Sequence, residues 1–468
     1  MAIELSNVTF TNQDDIVPLS GVEQILNTGV ANTFAGNDRI TGSFTGSYDP
    51  DSYFVFKNMG VLNTGDGNDT IEGIGNQVPY EAGGNNGIYN TGTLNTAEGD
   101  DVITGSGGSL GIYNTGTFNT GEGNDTITGS IGVAVGIENS GTFNTAEGDD
   151  VITGEGWYYG ILTHPGTIFD TGDGNDKICG NGTKFFSVPT PGISNNSSTF
   201  NTGDGNDTIE GSGVYGIFNY GIINTGNGKD IINGTNIGIY NTDDSGGINN
   251  WGIINTGNDD DIITSTGVIH KGTFTNRGNI FLGEGNDSIT ADTDLPNRAL
   301  ENFNFIGTGD GNDIITSTGV IYNEGVIETG NGDDSIIVDG GIDDITGTTY
   351  GIYNNGGVIN MGDGNDSIIA NEGFESDPNS SGAWFLGEGE DYIKGFGSGD
   401  YFYGGNGNDT LELTPGTYTV EIWGEGCESP TFTKGNQLMI TSEFEKLKAG
   451  STIYDFTSLT AGQIIIVA

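Results

Sequence analysis

The chain has 468 residues, of which 64 are Asp or Glu and 12 are Lys or Arg, so its formal charge at neutral pH is −52. That balance excludes nucleic acid and anionic membranes as natural partners, because either would meet like-charge repulsion. No apolar run is long enough to span a membrane as a helix, so no membrane insertion is expected, and Cys179 and Cys427 are too few for a disulfide framework and read as free thiols.

The first segment, residues 1–30, opens MAIELSNVTFTNQDDIVPLS, with neither a basic start nor an apolar stretch of leader length. It reads as an N-terminal cap. Residues 31–413 then repeat one unit, seen in clear form as NTGDGNDTIEG from Asn63 and NTGEGNDTITG from Asn119. In the second copy Gly121 and Gly123 supply positive φ, and Asn124 and Asp125 tolerate a tight turn. Thr126, Ile127 and Thr128 alternate polar, apolar, polar, which predicts a half-buried strand with Ile127 inward. Upstream, Ile112 and Phe118 in GIYNTGTFN add further inward positions, so each coil holds about three short strands. The predicted fold is all-β, a parallel β-solenoid of about fifteen Gly-x-Gly-Asn-Asp rungs with a small C-terminal β cap.

The motif aspartates are Asp38, Asp69, Asp101, Asp125, Asp150, Asp176, Asp207, Asp230, Asp261, Asp287, Asp313, Asp334, Asp366, Asp391 and Asp409. Most lie near 25 residues apart; longer gaps fall at Ser43–Asn58, Asn181–Ser198 and Asn371–Ala383, whose prolines Pro50, Pro189, Pro191 and Pro378 predict loops. Stacked rungs would place these aspartates about 4.8 Å apart. A second acidic column, including Asp66, Glu98, Glu122, Glu147, Asp173 and Asp204, runs beside them. Charges at that separation repel by roughly 1 kcal/mol in water and 3–4 kcal/mol at an effective dielectric of 20. The column therefore calls for cations, and an all-oxygen donor set without Cys or His selects multiple Ca²⁺ ions.

The stretch LGEGEDYIKGFGSGDYFYGGNGNDTLE from Leu386 has a nine-residue period that aligns Asp391, Asp400 and Asp409. It resembles the G-G-x-G-x-D-x-U-x nonapeptides of RTX (haemolysin-type) calcium-binding proteins. The resemblance covers residues 31–413 and implies a right-handed parallel β-roll or β-helix that folds on calcium, with Asp400 joining the metal ligands. It also implies type I secretion directed by a C-terminal segment. Most rungs here have one glycine-rich turn where the family has two, which predicts one ion ladder along most of the chain. Ala35, Ala97 and Ala146 are read as replacing the first glycine and Asp259 the second, while Lys229 sets a cation beside Asp230. The last two changes weaken the local sites. An alternative without metal is an asparagine-ladder solenoid whose aspartates only cap turns.

Catalytic signals are weak. His164 and His270 are isolated, and Gly107-Gly108-Ser109-Leu110-Gly111 matches a hydrolase elbow but precedes no predicted helix. Lys57, Lys177, Lys184, Lys271, Arg39, Arg277 and Arg298 form no cluster that the sequence can place. Tyr89, Tyr113, Tyr240, Tyr322 and Tyr353 each follow Ile and predict an outward aromatic stripe. Residues 414–468 lose the glycine turns and end in an apolar cluster, reading as a C-terminal cap and type I secretion segment. The expected protein is a secreted, extracellular, non-enzymatic one with a structural or adhesive role at the cell surface, its partners calcium ions and cell-surface polysaccharide or like solenoids. The alternatives are a polysaccharide-acting lyase or epimerase, and an ice- or carbohydrate-binding solenoid.

Overall fold

The computed structural model describes residues 2–18, 24–44, 54–75, 85–131, 134–183, 190–236, 247–267, 273–294, 297–343, 347–376, 380, 382–398, 401–422 and 429–468. They form two compact units, the first of residues 1–240 and 247–256, the second of residues 241–246 and 257–468. Each is a parallel β-solenoid with three strands per rung.

In the first unit one rung runs through strand Leu110–Asn114, strand Thr117–Asn119, a glycine turn, and strand Thr126–Ile131. Each strand pairs in parallel with its counterparts in the rungs before and after, so like residues stack: Ile112 on Ile88 and Ile137, Phe118 on Leu94 and Phe143, Ile127 on Ile103 and Ile152. These inward residues are fully buried. Three such side chains per rung, at about 1.5–3 kcal/mol each, supply the hydrophobic drive along the coil. Phe118, Phe143, Phe169 and Phe200 stack at 4.6, 4.5 and 4.3 Å between successive centroids, with planes within 8°.

The corner after the first strand needs a polar residue that can satisfy itself inside. Asn114 sits there fully buried, its amide donating to Asn139 Oδ1 and to Thr142 O, both at 2.8 Å. The same ladder links Asn27, Asn58, Asn90 and Asn114, and later Asn195, Asn219 and Asn250. Because each amide uses both donors, its burial costs little. At one corner Thr163 stands in, its hydroxyl facing Asn195 Oδ1 at 3.3 Å.

The solenoid starts inside the expected N-terminal cap: Ala2–Glu4 pairs in parallel with Gln24–Asn27, and Ile16–Val17 with the strand Arg39–Phe44. Proline loops are shorter than the sequence suggests, since Phe54–Asn58 and Pro191–Asn195 are strands. Pro191 opens its strand, in register with Tyr215, a position where a missing N–H is tolerated. Pro50, Pro189 and Pro378 lie outside the described residues.

The second unit repeats the plan, with second strands lengthened to six residues in Asn279–Glu284, Phe305–Asp310, Val326–Asn331 and Val358–Asp363. It closes with Gln437–Ser442 and Lys446–Ala449 laid in parallel on Tyr401–Gly407 and Thr410–Leu413. Antiparallel strands Gly416–Ile422, Pro430–Lys434 and Ile464–Val467 complete the small C-terminal β cap.

Candidate metal centre

The glycine turn joins the second and third strands, and its last two residues bond in opposite directions along the stack. Asp125 donates its N–H to Asp150 Oδ1 at 2.7 Å and accepts the N–H of Asp101 on its own Oδ1 at 2.8 Å. The residue before it does the reverse: Asn124 N–H reaches back to Asp100 Oδ1 at 2.9 Å, and Asp149 N–H reaches back to Asn124 Oδ1 at 2.8 Å. A short side chain with an acceptor oxygen therefore suits both positions of the turn. The inner chain links Asp38, Asp69, Asp101, Asp125, Asp150, Asp176, Asp207 and Asp230 in the first unit. In the second it links Asp261, Asp287, Asp313, Asp334, Asp366, Asp391 and Asp409. Lys229 joins the outer ladder through its N–H, donated to Asn206 Oδ1 at 2.8 Å, but its side chain offers no acceptor. Asp400 lies outside the described residues.

Burial corrects the sequence picture of an open column governed by repulsion. The ladder aspartates are at most 2% exposed. Lost hydration is the larger cause of their raised pKa values and the neighbouring carboxylates the smaller: Asp101 and Asp150 rise to about 8, Asp207, Asp287 and Asp366 to about 7, and Asp69, Asp125, Asp176, Asp334, Asp391 and Asp409 to about 6. The second acidic column stays outside; Asp66, Glu98 and Glu122 are exposed, and their carbonyls accept the glycine N–H of the preceding rung.

One oxygen of most ladder carboxyls has no donor. Oδ2 of Asp69, Asp101, Asp125, Asp150, Asp176 and Asp207, and of Asp287, Asp313, Asp334, Asp366, Asp391 and Asp409, is buried without a hydrogen-bond partner. A threonine five residues upstream stands beside many of them and lowers the carboxyl pKa, as Thr96 does for Asp101 and Thr145 for Asp150. For Thr96 and Thr145 the hydroxyl proton goes elsewhere, to Thr120 O at 2.9 Å and to Thr171 O at 3.0 Å, whereas the hydroxyls of Thr64 and Thr120, beside Asp69 and Asp125, have no other acceptor and can turn to the carboxyl. Leu282, Met361, Leu386 and Gly404 hold that place before Asp287, Asp366, Asp391 and Asp409, where no hydroxyl is present. Among the described residues the turn carbonyls Gly121 O and Gly123 O accept no backbone hydrogen bond.

A buried carboxylate oxygen without a donor, in a turn whose glycine carbonyls also lack backbone donors, suits a hard cation bound through oxygen. Among the described residues no three His, Cys, Asp or Glu side chains converge as a metal cluster, so an ion here would draw most of its ligands from the backbone. The residues that would hold it are the ladder aspartates with the glycine carbonyls of their turns, and its charge would replace the missing donor at Oδ2.

The turn also shows which departures the fold accepts. Phe34, not Ala35, occupies the first-glycine position, at φ 75°, and Ala35 takes the outer acidic position. Ala97 and Ala146 do replace the first glycine, at φ 72° and 68°, and Asp259 replaces the second at φ 84°. Where both are glycine, as at Gly121 and Gly123, φ is 95° and 139°, and an added Cβ would lie 1.7 Å from Ala97 O and 2.1 Å from Gly99 O.

Other candidate residues have structural surroundings. Cys179 is a free thiol 3.3 Å from Glu210 Oε2, its pKa raised to about 11 by burial. His164 Nε2 lies 2.9 Å from Glu138 Oε1. Ser109 lies between two strands with no helix after it. His270, Cys427, Lys184, Lys271 and Tyr240 fall outside the described residues. Threonine rows are broken in register, Thr104 and Thr128 being followed by Thr153, Cys179 and Glu210. The tyrosine stripe is broken too: Tyr89 and Tyr113 lie 5.1 Å apart, but Glu138 and Leu162 continue the column.

A cluster the sequence does not reveal surrounds Arg298. Its guanidinium is buried, 2.6 Å from Asp343 Oδ2, 3.3 Å from Glu301 Oε1, and 3.7 Å from the centre of the Tyr322 ring. Tyr322 in turn donates to Glu324. Asp343 ends the two-residue strand Gly341–Ile342, paired with Thr349–Tyr350, so the cluster pins this excursion to the solenoid wall.

Comparison with known proteins finds no matching family model and no matching curated protein. Among solved structures the chain is similar to a hyperactive, Ca²⁺-dependent, β-helical antifreeze protein from an Antarctic bacterium. The two share 15% identity over 98% of this chain and 95% of that one, at a TM-score of 0.32.

Proposed function

We propose that the protein is a calcium-stabilised β-solenoid that works outside the cell as a structural or adhesive element and is not an enzyme. The observation that carries the calcium reading is the column of buried aspartate Oδ2 atoms without donors, repeated rung after rung. At neutral pH such a column must take up protons or cations, and a hard divalent ion satisfies several oxygens at once. The proposed ligands are the ladder aspartates from Asp38 to Asp409, with Asp400 added by its nonapeptide spacing. Calcium is scarce in the cytosol and plentiful outside, so a chain of this charge would stay open during export and close on arrival, with residues 414–468 as both cap and export segment. The non-enzymatic reading is supported by the settings of the candidate groups: Ser109 lacks an elbow helix, and Arg298 is enclosed by its own carboxylates.

Equilibrium dialysis against calcium and magnesium tests this reading. Several calcium ions per chain are expected, with magnesium far weaker because it demands a rigid octahedral shell. Binding of no ions, or equal binding of both metals, contradicts it.

A further inference from the structure

In the second unit the outward residues of the second strands stack in register as Phe281, Gly307, Glu328, Asn360, Phe385 and Tyr403. Beside this row the positions of Gly283, Gly309 and Gly330 carry no side chain and leave a gutter along the stack, bounded on its far side by Asp310 and Asp363. A groove of about 460 Å³ opens here between the two phenylalanines, Phe281 and Phe305, and the carboxylates of Asp310, Glu328 and Asp363.

Phe305 reaches over Gly307 with the edge of its ring: a Cβ on that glycine would be 2.6 Å from the ring. The ring takes the space that Gly307 leaves beside the groove, and Phe281, 41% exposed, stands next to it at 5.3 Å and 38°. Glu328 is exposed and paired with Gly307 one rung on, its backbone about 4.8 Å along the stack from the residue beside the ring. Neither Glu328 nor Asp363 has a side-chain partner among the described residues. Further along the row Phe385, 39% exposed, stacks on Tyr403 at 4.9 Å, and Tyr403 borders a hollow of about 410 Å³ rimmed by Ser429, Thr431 and Ser442.

This surface joins a pair of aromatic rings to the unpaired carboxylates of Glu328 and Asp363. The strands cross the gutter and spend their N–H and C=O groups within the sheet, so no strand edge is offered to a peptide. An acidic glycan would be repelled by the carboxylate rows and by the net charge of −52. Sugar rings carry apolar C–H faces that suit an aromatic ring, and an ammonium group suits both the ring and Glu328. The rung spacing is also close to the length of one hexose in an extended polymer.

We propose that this face binds a linear amine-bearing polysaccharide lying along the stack, with a sugar on Phe305, an ammonium group at Glu328, and the chain continuing towards Phe385 and Tyr403. The site depends on strand register and not on bound calcium, although the fold must be kept intact during the test. Glucosamine hexamer should be titrated calorimetrically into the full chain in calcium buffer at low salt, beside the N-acetylated hexamer, with circular dichroism confirming that each variant is folded. Phe305→Ala should weaken binding about tenfold. Glu328→Gln should weaken the amine-bearing hexamer several-fold and flatten its salt dependence, leaving the N-acetylated one unchanged. No binding at millimolar hexamer, equal affinity for both hexamers, or wild-type affinity in folded Phe305→Ala would each overturn the proposal.

Discussion

Asp150→Asn separates the two things this carboxyl does. Its Oδ1 accepts the Asp125 N–H at 2.7 Å, and its Oδ2 is buried without a donor. Burial raises its pKa from 3.8 to about 8, so near neutral pH the metal-free fold must hold a proton there that the unfolded chain would release, or else bury the charge. At about 1.4 kcal/mol per unit, and allowing for solvent behind the turn, the cost is on the order of 2–4 kcal/mol. Asparagine keeps the acceptor and removes the charge, and its new N–H₂ can donate to the Thr145 hydroxyl oxygen. In chelator, thermal unfolding of Asp150→Asn should therefore occur at higher temperature than wild type, whereas in calcium it should occur at lower temperature because a charged ligand is missing. Asp150→Ala leaves the Asp125 N–H without its acceptor and should lose about 1–3 kcal/mol relative to Asp150→Asn under both conditions. Equal destabilisation of the Asn and Ala variants in chelator would refute the reasoning, since it would mean the ionised oxygen is already satisfied.

Gly121→Ala and Gly123→Ala should each lower stability by about 1–3 kcal/mol in chemical denaturation, because they sit at φ 95° and 139° and an added Cβ would lie 1.7 Å from Ala97 O and 2.1 Å from Gly99 O. Phe143→Ala opens the middle of the phenylalanine stack and should cost about 3–5 kcal/mol in the same assay. Arg298→Ala takes the guanidinium from the buried Asp343 carboxylate and should cost about 3–5 kcal/mol, part of it recovered in the double variant with Asp343→Asn.

The strands were legible because apolar residues recur at fixed offsets from a glycine turn: Ile112, Phe118 and Ile127 are all inward and fully buried. Repetition also made the aspartate column legible, but spacing alone does not say whether Asp125 points out or in. The missing information was in its neighbours, since Asn124 and Thr120 recur with it and now have defined places beside the inner ladder. Alignment of the first copy was off by one residue, because a phenylalanine at positive φ is unexpected and Phe34 was passed over for Ala35. The Arg298 cluster was illegible for a different reason: Asp343 is 45 residues away and reaches it from an excursion that breaks the repeat. The groove at Phe305 likewise depends on Gly307 leaving room for the edge of the ring, a contact between strand positions two apart that no periodic pattern marks.

The pH dependence of thermal unfolding, followed by circular dichroism in chelator and in calcium, tests the central claim most directly. Without metal, the ladder carboxyls have folded-state pKa values of about 6 to 8, above their unfolded value. The folded chain then binds more protons than the unfolded one, so the associated stability is fully present below the ordinary carboxylate range and is lost as pH rises through about 6 to 8. Calcium requires the ionised carboxylates and should displace those protons, so in calcium the unfolding temperature should hold or rise over the same interval. Two curves that diverge between about pH 6 and 8 are the predicted result; curves that stay parallel would contradict the assignment of the buried aspartate column to calcium.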